Sequence, residues 1–281
     1  MPVETDLTPL VRHAGPSTLS YFDPAFPDRM LVLHAACPPG WHPGCPVLFV
    51  HHGVARNGRD YRDYWLPHAT GLLVVAIEFP EASFPEYLCY NFGNLHAGDG
   101  TAHPREQWTF GIGPRLFQAL RRQGITSVGR YGLFGHSAGG QYVHRMLSFG
   151  YRDDVAVAVT ANAGTYAMPD LSIAWPWGLG GVPADDLQAV LDFPLTIMAG
   201  TQDTKTTGRH FPRGPRSMRQ GEHRFARAHA YLRAGQAAAS NLGMACAWTL
   251  IEVPGVGHQG RAMSDAAAPV IKQKLNATKT R

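Results

Sequence analysis

Residues 132–140 read Gly-Leu-Phe-Gly-His-Ser-Ala-Gly-Gly, and no other stretch restricts the fold of this chain as much. Gly135, His136, Ser137, Ala138 and Gly139 within it form a G-x-S-x-G. Residues 127–134 have the profile of a short buried strand, and Val143, Met146 and Leu147 follow at helical spacing. A serine between strand and helix predicts a nucleophile elbow, where the hydroxyl is lifted clear of a sheet. Strand and helix approach closely at such a turn, so its neighbours must be nearly free of side chain, as Gly135, Ala138, Gly139 and Gly140 are. The following helix aims unpaired N–H groups at developing negative charge. The competing reading is a Gly/Ser loop without chemistry, so the rest of the chain must supply a base and an acid.

The chain in order predicts strands alternating with helices. Strands are expected at residues 30–35, 47–51, 72–78, 127–134, 155–160, 195–199 and 248–253. Helices are expected at 59–70, 114–123, after Ser137, at 225–241 and at 261–275, with 82–103 a long loop. That alternation predicts a single α/β domain over residues 1–281, a mostly parallel sheet with helices on both faces. Residues 163–192, rich in Pro and Gly and carrying Tyr166, Trp175 and Trp177, are expected to form a short lid over the nucleophile.

In such a sheet, reactive groups gather beyond the carboxyl ends of the strands. After the strand at 195–199 comes Gly200-Thr201-Gln202-Asp203, and after 248–253 comes Pro254-Gly255-Val256-Gly257-His258. The order Ser137, Asp203, His258 has spacings of 203 − 137 = 66 and 258 − 203 = 55 residues. Serine then acid then histidine is the chain order of an elbow-type triad. His258 takes the serine proton and Asp203 fixes the imidazole. The rival acids Asp185, Asp186 and Asp192 precede their strand, and Asp203 itself could be a turn residue. An oxyanion hole needs two N–H donors. Ala138 supplies one; Val54 in the turn after residues 47–51 is the favoured second, with Ala55 in reserve. Tyr61, Trp108, Tyr166 and Trp177 are candidate substrate-binding aromatics, and Arg56 and Asn57 either brace the turn or face solvent.

The His52-Gly53 turn running through Arg56-Asn57-Gly58 to Tyr61 resembles the α/β-hydrolases related to polyhydroxybutyrate depolymerases and their esterase relatives. Tyr90-Asn91-Phe92-Gly93-Asn94 and Pro176-Trp177-Gly178-Leu179-Gly180 add to the likeness, which spans residues 47–275. It implies the α/β-hydrolase fold and cleavage of carboxylic esters through an acyl-enzyme, on hydroxyalkanoate oligomers or polyester-like substrates. The superfamily triad falls on Ser137, Asp203 and His258. The same fold and triad also serve amide hydrolysis, acyl transfer or lyase chemistry, or persist in a decayed binding module.

Composition removes other classes. Lys+Arg 25 against Asp+Glu 21 leaves a net charge of +4, too weak for a nucleic-acid partner. The longest apolar run, residues 72–79, contains Glu78 and is too short to span a bilayer. No secretory signal is legible in residues 1–15, so a cytoplasmic enzyme with an unused Asn276-Ala277-Thr278 sequon is expected. Cys37 and Cys45 are close enough to pair across a hairpin, but free thiols are expected throughout. Neither a metal nor an organic cofactor is expected: no H-E-x-x-H occurs, and the G-x-G-x-x-G at residues 255–260 has no strand after its helix. Residues 205–233 hold eight Lys or Arg against Glu222, either a solvated face or a field guiding an anionic substrate.

Overall fold

The computed structural model describes residues 4–277, so Thr278 of the sequon lies outside them. Eight strands form one sheet: β1 (Gly15–Phe22), β2 (Met30–Cys37), β3 (Val47–His51), β4 (Leu73–Glu78), β5 (Tyr131–His136), β6 (Val155–Ala161), β7 (Thr196–Gly200) and β8 (Thr249–Val253). Their spatial order is β1-β2-β4-β3-β5-β6-β7-β8. β1, β2 and β4 pair antiparallel and every later pair is parallel. The strands β3 and β5 are buried at every position, as a parallel sheet covered on both faces requires.

Among the described residues, seven α-helices accompany the sheet: α1 (Gly58–Trp65), α2 (Ile112–Arg122), α3 (Ala138–Ser148), α4 (Ala184–Asp192), α5 (Pro215–Met218), α6 (Arg224–Asn241) and α7 (Gly260–Ala277). Two cores result. One packs Leu116 and Phe117 of α2, Val143 and Met146 of α3 and Tyr231 of α6. The other packs Tyr61 and Trp65 of α1 against Met263 and Ile271 of α7. No helix among the described residues is long and apolar enough to cross a membrane. All four cysteines are free.

The structure corrects the sequence reading in four places. The strand at Met30 is the second, because Gly15–Phe22 forms an antiparallel edge strand with alternating burial. The elbow strand begins at Tyr131 and runs through His136. The helix expected over 59–70 stops at Trp65 and tightens into a 3₁₀ turn at Leu66–His68, where Pro67 cannot continue an α-helical ladder. The stretch 163–192 holds α4, which its Pro and Gly content obscured, and backbone bridges Met168 to Gly178 and Ala174 to Gly180.

Candidate active site

Ser137 lies between the end of β5 and the first turn of α3, at φ 59° and ψ −116°. A non-glycine residue holds such a backbone only where its surroundings enforce it. The Ser137 N–H donates to the Ala161 carbonyl at 2.9 Å, tying the elbow to β6. A Cβ on Gly135 would overlap the Gly139 carbonyl, and one on Gly139 would overlap the His51 carbonyl at the end of β3. The close approach that demanded small residues is therefore a backbone-on-backbone contact, which cannot yield by a rotamer change.

The three residues that sequence order singled out are brought together. His258 Nε2 stands 2.9 Å from Ser137 Oγ, and His258 Nδ1 stands 2.7 Å from Asp203 Oδ2. Asp203 is buried, whereas the His258 side chain keeps 29% of its surface exposed. Neutral His258 therefore carries its proton on Nδ1, donates it to the Asp203 carboxylate and presents Nε2 as an acceptor to the serine hydroxyl. Asp185, Asp186 and Asp192 lie on α4, and Asp186 is paired with Arg152 at 2.8 Å.

Several residues that the sequence reading passed over hold this chain of hydrogen bonds. Asn162, at φ 45° just past β6, accepts from the Gly200 N–H at 2.8 Å and donates to the Gly257 carbonyl at 3.0 Å. It thereby spans the ends of β6 and β7 and fixes the loop carrying His258. Arg224 Nη1 lies 3.5 Å from Asp203 Oδ1, both side chains being buried, and the Phe225 N–H donates to the Asp203 carbonyl at 3.2 Å. Burial pulls the Arg224 guanidinium below its usual value, and the Asp203 charge opposes that. These partners are hard to find in sequence, because each is one polar residue at an element end with its partner on another element, from 21 to 95 positions away.

The turn after β3 also approaches Ser137. A Cβ on Gly53 would lie 3.6 Å from Ser137 Cβ and 4.0 Å from its Oγ. Val54 follows, 43% exposed, while Ala138 is buried at the head of α3. His52, also buried, locks the turn: Nδ1–H donates to the Gly53 carbonyl at 2.8 Å, and Nε2 accepts the Phe79 N–H at 3.0 Å. Burial, partly offset by the Gly53 hydrogen bond, pushes His52 down to about 4, so it is neutral. Arg56 is a brace: its guanidinium donates to the carbonyls of Phe79 at 2.8 Å and Glu86 at 2.6 Å and stacks over Tyr90. Asn57 Nδ2 donates to the Asp60 carboxylate at 2.8 Å in the first turn of α1.

The four candidate aromatics separate. Tyr61 reaches the site from below; it is buried, its hydroxyl beside Gly53 and 2.7 Å from His136 Nδ1. Tyr166 is fully buried, stacked on Tyr231 and tilted against His144, so it is core rather than pocket wall. Trp108 donates its indole N–H to the His103 carbonyl and packs edge-on against Phe149, and no contact links it to Ser137. Trp177 lines a groove against α6 that Ser137 does not share. Aromatic content alone does not distinguish a pocket wall from core, which is why these assignments diverge.

The chain superposes on the poly(3-hydroxybutyrate) depolymerase LpqC from Bordetella parapertussis with a TM-score of 0.89 and 39% identity, over 92% of this chain and 89% of that one. It belongs to the poly(3-hydroxybutyrate) depolymerase-like α/β-hydrolases. Poly(aspartic acid) hydrolase-1 from Sphingomonas sp. KT-1 is similar to this depolymerase-like hydrolase at 36% identity and a TM-score of 0.87, covering 92% of this chain and 99% of that one. An S-formylglutathione hydrolase from Agrobacterium tumefaciens shares the fold, with a TM-score of 0.60 and 16% identity over 93% of this chain and 94% of its own. No family model and no curated protein matches the chain.

Proposed function

We propose that this hydrolase cleaves carboxylic esters through an acyl-enzyme formed on Ser137. The observation that carries the proposal is the continuous hydrogen-bonded chain from Ser137 Oγ through His258 to Asp203 on an elbow at positive φ. His258 Nε2 removes the serine proton as Oγ attacks the carbonyl carbon. The imidazolium is stabilised by Asp203 and returns its proton to the leaving alcohol. The N–H groups of Ala138 and Val54 hold the tetrahedral oxyanion. Water, deprotonated by the same histidine, then releases the acid. No step requires a metal or organic cofactor.

Similarity to LpqC supports hydroxyalkanoate oligomers or related polyesters as the substrate class. A second reading is favoured by the comparable similarity to poly(aspartic acid) hydrolase-1. Poly(aspartic acid) is a polyamide of acidic units, and Lys205, Arg209 and Arg213, exposed in the loop after Asp203, suit an anionic chain.

Rates on p-nitrophenyl esters from acetate to dodecanoate, on 3-hydroxybutyrate oligomers and on poly(aspartate), each with Ser137→Ala as control, separate the two readings. Ester turnover abolished in the variant supports the proposal. Turnover of poly(aspartate) alone supports the second reading. Ester turnover undiminished in Ser137→Ala removes the serine from the mechanism.

A further inference from the structure

A groove of about 840 Å³ opens between the 168–177 segment and one flank of α6, and the triad takes no part in its walls. Its volume is in the range of sites for small organic ligands. Leu171, Ile173 and Leu242 line it while remaining 37%, 39% and 49% exposed, and Trp177 and Ala234 complete the apolar wall. The wall is built rather than loose. Met168 N–H donates to the Trp177 carbonyl at 2.9 Å, Leu179 N–H to Asp170 at 2.9 Å and Gly180 N–H to Ile173 at 2.8 Å.

The groove is polar at both ends, with Asn241 beside Leu242 at one. Arg216 and Arg219 line the other, and neither guanidinium has a carboxylate or other hydrogen-bond partner among the described residues. The acid that also lines the groove, Asp170, spends its Oδ1 on the Ser172 N–H and hydroxyl, at 2.8 and 2.6 Å. Gln220 closes that end by clasping the Tyr166 backbone at both its N–H and its carbonyl. Distances along α6 give the orientation, at a rise of about 1.5 Å per residue. Ala230 stands about 9 Å along the axis from Arg224, whose guanidinium meets Asp203, and Leu242 lies about 18 Å further on. The Met218 sulfur contacts Arg227 in the first turn of α6, which places the two free arginines at the triad-proximal end. An apolar trough thus runs down the side of the molecule away from the catalytic face, with two unpaired cations at its head.

We propose that this groove binds an aliphatic monocarboxylate, its head group on Arg216 and Arg219 and its alkyl chain laid along α6 toward Leu242. A cationic head beside an apolar trough selects an anion with an alkyl tail over a neutral or cationic amphiphile, by charge complementarity at one end and burial along the rest. The reading concerns binding only, so it stands whether or not Ser137 performs ester hydrolysis.

Titration calorimetry with octanoate and decanoate, each below its micelle concentration, tests it, with decanol and decyltrimethylammonium as controls. The expected result is saturable one-to-one binding that tightens by about fourfold per added methylene. Decanol is expected to bind at least tenfold more weakly, and the cation not at all. Arg219→Glu and Ala234→Trp should each weaken decanoate at least tenfold while leaving p-nitrophenyl acetate turnover unchanged. Should Ala234→Trp lose that turnover through misfolding, Leu242→Glu at the exposed rim replaces it. No saturable binding overturns the proposal. So does decanoate binding that survives both variants, or decanol binding as tightly as decanoate.

Discussion

The Tyr61 hydroxyl sits 2.7 Å from Nδ1 of His136, the residue immediately before Ser137. The His136 ring in turn lies 4.7 Å, centroid to centroid, from the ring of His258. Burial foremost, then the neighbouring His258 and Arg224, holds His136 well below the usual histidine range. It is therefore a neutral ring packed against the proposed base, and adds no second cation where the proposed mechanism forms an imidazolium. Tyr61 also borders Gly53 and Gly260, so one hydroxyl lies beside the elbow strand, the turn after β3 and the segment after His258. Tyr61→Phe is expected to lower kcat by about tenfold with little change in KM, since a slightly misplaced base costs rate rather than binding. His136→Phe should behave alike, and the double variant should be no slower than either single one. Additive losses would show that the two side chains act separately.

The proposed triad sets a larger scale. Ser137→Ala and His258→Ala should each reduce kcat on a p-nitrophenyl ester by several powers of ten, and combining them should cost little more. Asp203→Asn should lose about three to four powers of ten, because the amide favours the wrong imidazole tautomer. Circular dichroism and melting temperature should remain near wild type for Ser137→Ala, which removes one oxygen from a partly exposed site.

Arg224 faces Asp203 in a buried pair whose long 3.5 Å contact makes it weaker than a close bidentate one. Arg224→Met leaves the buried carboxylate with His258 as its remaining side-chain partner. The expected loss of stability is about 3 kcal/mol, read from urea unfolding at pH 7.5. Activity should fall as well, because the carboxylate is then free to rotate away from Nδ1. A variant as stable as wild type would mean that the pair contributes nothing net.

Gly135→Ala and Gly139→Ala test the elbow as a steric object. Each added methyl meets a carbonyl carbon and oxygen of the backbone, not the far end of a flexible side chain. Overpacking of that kind moves whole elements, so both variants should be destabilised by more than about 3 kcal/mol or fail to accumulate. Gly129→Ala, where nothing lies within 4 Å of the new methyl, is the control and should fold normally.

These glycines also show what could be read ahead of the structure. Gly135, Ser137 and Gly139 announce themselves because the elbow needs particular residue types at adjacent positions, and strand-end logic then led to Asp203 and His258. The parallel strands were legible for a similar reason: β3 and β4 are continuous apolar runs of the right length. The edge strand β1 was not, since its single strongly apolar alternation, Leu19 and Tyr21, is diluted by Pro, Ser and Thr. Asn162, Arg224 and His136 were invisible for another reason. Their meaning is a contact with a residue on a different element, and no local pattern encodes it. The aromatic assignments diverged because Tyr166 is fully buried among other rings, its hydroxyl left without a partner, and Trp108, half-buried, spends its indole N–H on the His103 carbonyl.

Acid should unfold this protein through its histidines. His51, His52, His136 and His144 are buried and all held below the ordinary value of 6.5, in each case chiefly by burial. The unfolded chain takes up protons on these rings as pH falls through about 6.5, whereas folded His52 refuses one until about 4. The unfolded state therefore binds more protons across that window, and stability is fully present above 6.5 and lost on the way down to 4. His52 alone accounts for about 3 kcal/mol, with further losses from the other three. Its protonation also breaks the turn locally, because a charged ring must present N–H at Nε2, where the Phe79 N–H now donates. Urea unfolding at pH 7.5, 6.0 and 5.0 should show the midpoint falling steadily with pH. His52→Gln, which carries no titrating ring, should be less stable at pH 7.5 but lose less between 7.5 and 5.0. An equal pH slope in that variant would mean that His52 is not part of the acid response, and that the turn beside Ser137 is held by Arg56 and Tyr90 instead.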